Sequence, residues 1–199
     1  MGTSDSGTIA LVIGIGYLLG AVPFGLILTR MFGAGDLRKV GSGNIGATNV
    51  LRTGRKGLAA GTLLLDMGKG AAAVCIARMI APELALIGGF AAFLGHCYPV
   101  WLKFNGGKGV ATMLGIALAF NWGIGLIFAG VWLGALAISR MSSVGGMTAA
   151  VATPIAAFII FDWHPAKMLG LMAIIVLWKH RENIARIRAD TEPKVGAKA

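Results

Sequence analysis

Charge is scarce in this chain. Only 13% of its 199 residues are Asp, Glu, Lys or Arg, against about 25% in an ordinary soluble domain. Acids are the rarer sign, eight against 18 Lys and Arg, which leaves a formal net charge of +10. Cysteine is limited to Cys75 and Cys97, both in apolar stretches. They read as small packing residues, not as a disulfide framework. His96, His164 and His180 stand apart from one another and from any CxxC pair, so neither a metal nor another cofactor is expected. A basic chain can bind nucleic acid, but no soluble module is present to do so, and no nucleic-acid partner is expected. The opening MGTSDSG lacks a basic n-region, so the first apolar run reads as a retained span and not a cleaved signal.

What the chain has is hydrophobic length. Hydrophobic residues make up 56%, and mean hydropathy is +0.78. A membrane-spanning helix needs roughly 20 mostly apolar residues. Residues 8–29, 84–102 and 143–161 meet that without a charge, and 57–80 meets it with Asp66 and Lys69 inside. The uncharged run 110–139 is long for one span and short for two, with a turn signal at Asn121–Gly123. A last run, 165–179, follows DWHP. Splitting 110–139 into 110–120 and 123–139 gives seven spans and puts 15 of the 18 Lys and Arg residues on one side. Leaving it whole divides the cations almost evenly. The positive-inside rule therefore selects seven spans, N-terminus out and C-terminus cytoplasmic. The expected fold is an all-α integral membrane protein, one domain over residues 1–199.

This topology collects the polar, glycine-rich stretches on the cytoplasmic side. The first is GSGNIGATNV, residues 41–50, with basic residues before and after it. Glycines let successive backbone amides converge on an anion. Gly41, Gly43 and Gly46 supply that freedom, Ser42, Asn44, Thr48 and Asn49 add short side-chain donors, and Arg52 adds a bidentate fork suited to phosphate. The second is FNGGKGVAT, where Gly106, Gly107 and Gly109 surround Lys108. It is not a Walker A loop, because the required spacing is absent. Amides and an ammonium at a helix start can hold phosphate there, or the stretch is a membrane turn with a snorkelling lysine.

The third stretch is KHRENIARIR, residues 179–188. Its arginines suit an amphipathic helix on anionic lipid. His180 and Asn183 share one face of that helix, while Glu182 is placed to hold Arg186 at i+4. Ser143, after Arg140, reads as an N-cap that could also donate to a substrate phosphate. Asp66 and Lys69 lie i,i+3, a spacing that lets them pair. An ionisable side chain in mid-membrane costs roughly 2.5–3.5 kcal/mol, so the pair reads as a structural brace. His96 is either a substrate donor or a packing histidine; His164 falls on the outer side.

Taken in order, VGSGNIGATNVLR (40–52), LLLDMGKG (63–70), LGHCYPVWLKFNGGKGVAT (94–112) and KHRENIARI (179–187) resemble the PlsY family, bacterial integral-membrane glycerol-3-phosphate acyltransferases that use acyl-phosphate. The resemblance implies transfer of a fatty acyl group to the sn-1 hydroxyl of glycerol 3-phosphate, giving lysophosphatidic acid and phosphate. The partners it implies are glycerol 3-phosphate, acyl-phosphate and membrane lipid, in the bacterial inner membrane with the site facing the cytoplasm. No obligate protein partner is evident. Its required serine and arginine fall on Ser42 and Arg52, with Asn44 and Thr48 beside them. Glycerol 3-phosphate binding falls on Gly106, Gly107, Lys108 and Gly109. Its histidine and asparagine fall on His180 and Asn183, and its structural glutamate on Glu182. Ser42, Arg52, Lys108 and His180 are thus the candidate catalytic residues. A small transporter of phosphate or organic phosphates is the competing class, although no inverted repeat is apparent.

Overall fold

The computed structural model describes residues 4–196. Lys198, counted above among the inward cations, lies outside the described residues. The described elements are helices: α1 (Ser6–Gly20), α2 (Phe24–Met31), α3 (Ala47–Leu51), α4 (Lys56–Ile80), α5 (Ala85–Cys97), α6 (Val110–Phe120), α7 (Trp122–Ser139), α8 (Ser142–Ile160), α9 (Trp163–Lys179) and α10 (Arg181–Arg188). They fall into two compact units, one ending at Phe120 and one beginning at Asn121.

In the first unit, α1 and α5 approach through small residues. A Cβ on Gly16 or Gly20 would overlap the carbonyl oxygens of Gly88 and Ala92, and one on Gly95 that of Tyr17. Small residues four apart let helix backbones pack closely in lipid, where hydrophobic association supplies little drive. The end of α5 is pinned to α1 by Tyr17 Oη donating to the Tyr98 carbonyl and Trp101 Nε1 to that of Ala21, both at 2.8 Å. The first apolar run breaks between α1 and α2 at Pro23, which has no amide to donate and disfavours helix in the residue before it.

In the second unit, α8 packs against both α7 and α9. Asn121 caps α7 by accepting from the Ile124 amide at 3.2 Å, which stops α6 and starts α7 where the turn signal stood. Asp162 does the same for α9 through the amide of His164. The tail returns to the α7–α8 turn, where the Val195 amide donates to the Arg140 carbonyl at 2.7 Å.

Polarity is inverted relative to a soluble protein. Leu18, Leu64, Ile138, Ile159 and Ile174 are exposed, whereas Asp66, Lys69, His96, His180, Asn183 and Glu192 are buried. That pattern suits a lipid surround. Among the described residues, Ser6–Met31, Pro82–Leu102, Trp122–Ser139 and Ser142–Ile160 are long and apolar enough to cross a bilayer. The 25 residues of α4 are also long enough at about 1.5 Å each, but carry the buried charges. Helix α6 has 11 residues and α9 has 17, against the roughly 20 of a typical span.

Candidate functional site

The first polar loop is organised by one buried side chain. Asn49 is 1% exposed. Its Nδ2 donates to the carbonyls of Leu37 at 3.0 Å and Val40 at 2.9 Å. Its Oδ1 accepts the Ser42 amide at 3.3 Å and Arg52 Nη1 at 3.5 Å. Ser42 and Arg52, ten positions apart, are therefore held on one carboxamide. Gly41 and Gly43 have φ of +51° and +68°, conformations that favour glycine. A Cβ on Gly41 would also come 2.7 Å from Arg52 Nη1. Gly25 of α2 lies against the Ile45 carbonyl, where any Cβ would overlap it, so the loop sits directly on α2. Asn44 and Thr48 are half-buried on the same segment, while Arg52 is exposed. Asp36, just upstream, accepts from the Arg38 guanidinium and amide, which holds its carboxyl at about 2.

Two of the three glycines around Lys108 direct their amides to the end of α5. The amides of Gly106 and Gly107 donate to the carbonyls of Cys97 and His96 at 3.2 and 3.0 Å, closing the end of α5. Helix ends leave such carbonyls in need of donors. A Cβ on Gly107 would strike the His96 ring, and one on Gly109 the Phe93 ring. Close packing on α5 therefore accounts for these glycines, and it places half-buried Lys108 at the start of α6. His96 is 4% exposed and lies beneath the turn.

In the second unit, Glu192 gathers residues expected to meet substrate. Its Oε1 accepts Ser143 Oγ and Asn183 Nδ2, each at 2.6 Å, and its Oε2 accepts Arg186 Nε at 2.8 Å. Burial pushes the Glu192 carboxyl up, but these donated bonds outweigh it and hold the value below the ordinary 4.5. Two expectations are corrected here. Ser143 is not the N-cap of α8; Met141 holds that position, and the serine hydroxyl serves Glu192. Glu182 is exposed, and Arg186 pairs with Glu192 instead of with Glu182. His180, 3% exposed, closes α9, and its Nδ1 lies 2.8 Å from the Val176 carbonyl oxygen. A carbonyl can only accept, so Nδ1 carries a proton.

Sequence reasoning missed Glu192 and gave Asn49 too small a part. A carboxylate 49 positions from Ser143 leaves no local pattern. Asn49 stood out as one of several short polar groups, and nothing local marked it as the hub.

A bundle of apolar helices with buried polar turns at their ends defines an integral membrane protein that handles polar groups beside lipid. The sequence profile of glycerol-3-phosphate acyltransferase matches residues 10–190. A glycerol-3-phosphate acyltransferase of Mesorhizobium japonicum is 57% identical over 188 residues, covering 94% of this chain and 96% of that protein. One from Novosphingobium aromaticivorans is 62% identical over 184 residues, covering 92% and 93%. Among solved structures, the glycerol 3-phosphate form of PlsY, an integral membrane glycerol 3-phosphate acyltransferase, superposes with a TM-score of 0.90. It is 34% identical and covers 96% of each chain. The lysophosphatidic acid form gives 0.88 at 33% identity over 96% of each chain. The chain belongs to the glycerol-3-phosphate acyltransferase family. It is accordingly an integral membrane enzyme that acylates glycerol 3-phosphate in phospholipid biosynthesis.

Proposed function

We propose that the acyl donor is an acyl-phosphate and the acceptor the sn-1 hydroxyl of glycerol 3-phosphate, giving lysophosphatidic acid and inorganic phosphate. The reaction takes place at the cytoplasmic face of the bacterial inner membrane. The chain crosses that membrane seven times, N-terminus out and C-terminus in, as the one-sided distribution of Lys and Arg supports. The observation that carries the chemistry is the Asn49 carboxamide, which brings the Ser42 amide and the Arg52 guanidinium to one oxygen.

Both substrates of this reaction carry phosphate. Ser42 and Arg52 neutralise the donor phosphate with a hydroxyl and a planar fork. Lys108 contributes a compact positive charge to glycerol 3-phosphate, beside Gly106, Gly107 and Gly109. Asn44, Gly43 and Thr48 complete the first loop, and His180, Asn183 and Ser143 are assigned to orienting the acceptor. The glycerol oxygen attacks the acyl carbonyl, the bond from that carbon to the phosphate oxygen breaks, and phosphate departs with its electron pair. The hydroxyl proton passes to a phosphate oxygen of the substrate. Because phosphate is already a good leaving group, positioning and charge neutralisation supply most of the acceleration. No acyl-enzyme is needed.

The experiment mixes purified protein with palmitoyl-phosphate and glycerol 3-phosphate and follows lysophosphatidic acid and released phosphate, with palmitoyl-CoA as the comparison donor. Product from the phosphate donor alone is the expected result. Product from the thioester alone would overturn the donor assignment.

A further inference from the structure

One polar cluster in the first unit takes no part in this chemistry, yet it reaches the supports of two loops that do. Asp66 and Lys69 of α4 form an ion pair, Oδ1 to Nζ 2.7 Å, with each side chain 3% exposed. Lys69 also donates to the Val22 carbonyl at 2.8 Å, and its ammonium lies 5.7 Å from the Phe24 ring centroid. Val22 and Phe24 flank Pro23 at the break between α1 and α2. On the other side, the same Asp66 oxygen lies 3.6 Å from Nδ1 of His96. The imidazole in turn is the floor under Gly107, where a Cβ would overlap Nε2 and come 2.7 Å from Cε1.

A buried ion pair is a poor source of stability, because desolvation consumes most of its attraction and an apolar pair of similar volume packs as well. Its special capacity is directional. An apolar side chain at 69 could not hold the Val22 carbonyl, and one at 66 would place no carboxylate beside the His96 ring.

We propose that Asp66, Lys69 and His96 are positioning residues that set two phosphate-handling loops from one point. Through Lys69 and Val22 they hold the start of α2, on which the Ser42–Arg52 loop rests by way of Gly25 and Ile45. Through His96 they hold Gly107, and so the height and direction of Lys108. Gly107 is then glycine because of the imidazole beneath it, not because a phosphate approaches from above. This rests on the acyltransferase reading given above.

The test is a double-mutant cycle in the purified full-length enzyme, varying glycerol 3-phosphate and recording thermal stability alongside. His96→Asn keeps an amide where Nδ1 faces Asp66 and ends short of Gly107. Coupled neighbours deviate from additivity by several-fold. Gly107→Ala alone is expected to raise the KM for glycerol 3-phosphate by about tenfold or more, and by less than about threefold in the His96→Asn background. Lys69→Met is expected to raise the same KM and to lower the unfolding midpoint, because it leaves Asp66 buried without its partner; an unchanged KM in the folded variant would overturn the link to α2. Equal penalties for Gly107→Ala in both backgrounds would overturn the proposal, since the methyl would then be meeting substrate. So would failure of both His96→Asn and His96→Ala to fold, which would make the ring a general core element. An inactive wild type would sink the acyltransferase reading and this inference with it, whereas an active one with equal penalties sinks the inference alone.

Discussion

Ser143 and Asn183 donate to the same oxygen of Glu192, each at 2.6 Å. The start of α8 and the face of α10 are therefore tied through a residue of the C-terminal segment, which also bonds Arg186 and whose Val195 amide reaches Arg140. Removing the carboxylate leaves buried donors without an acceptor, a change that costs about 2–4 kcal/mol where a charge is involved. Glu192→Ala should accordingly lower the unfolding midpoint in detergent by roughly 4–16 °C for a chain of this size. Differential scanning fluorimetry measures it, and an unchanged midpoint would show that the strap is not a stabilising element.

The same carboxylate gives a pH dependence with a definite sign. Its folded value lies below the ordinary 4.5 because the three donated bonds outweigh burial. A depressed carboxyl contributes its stability fully above the unfolded value and loses it as pH falls through the folded one. The stability difference between the wild type and Glu192→Gln should therefore be largest at neutral pH and shrink below pH 4.5. Midpoints recorded from pH 7 to pH 3 check this, and a gap that widens on acidification would contradict it.

Asn49 should act on catalysis through the residues it holds. Asn49→Ala leaves the Ser42 amide and Arg52 without their shared acceptor and takes one of two donors from each of the Leu37 and Val40 carbonyls, which keep the amides of Val40 and Gly43. A displacement of about 1 Å in a positioned group can cost on the order of 100-fold in rate. That loss in kcat/KM is expected, with a stability cost of about 1–3 kcal/mol from the orphaned buried groups. Near-wild-type turnover in a folded Asn49→Ala protein would remove Asn49 from its organising role.

Helix placement was legible where it depended on local composition. The charge count split the run 110–139, and Asn121 caps the helix that begins there. Pro23 went unread as a break because the hydrophobic run continues through it. At the site, the residue types of each loop could be read directly, but their partners could not. The sequence points to Glu182 as the mate of Arg186 because i+4 neighbours are visible in it, while the actual mate, Glu192, comes from beyond the helix end. The GGKG stretch was legible as a tight turn. The cause of its tightness, the rings of His96 and Phe93 on α5, is a tertiary contact that spacing does not encode.

His180 allows a sharper distinction between anchoring and chemistry. Its Nδ1–H is committed to the Val176 carbonyl at 2.8 Å. In the proposed reaction, a contact between the ring and glycerol 3-phosphate would run through Nε2. Asn places its amide nitrogen near the position of Nδ1, whereas Gln reaches the position of Nε2. If Nε2 orients the acceptor, His180→Gln should retain roughly tenfold more kcat/KM than His180→Asn, about the 1.4 kcal/mol of one modest hydrogen bond. Both variants should keep a midpoint close to the wild type. Steady-state kinetics at saturating acyl donor make the comparison, and the reverse order of activity would assign the ring to anchoring α9 alone.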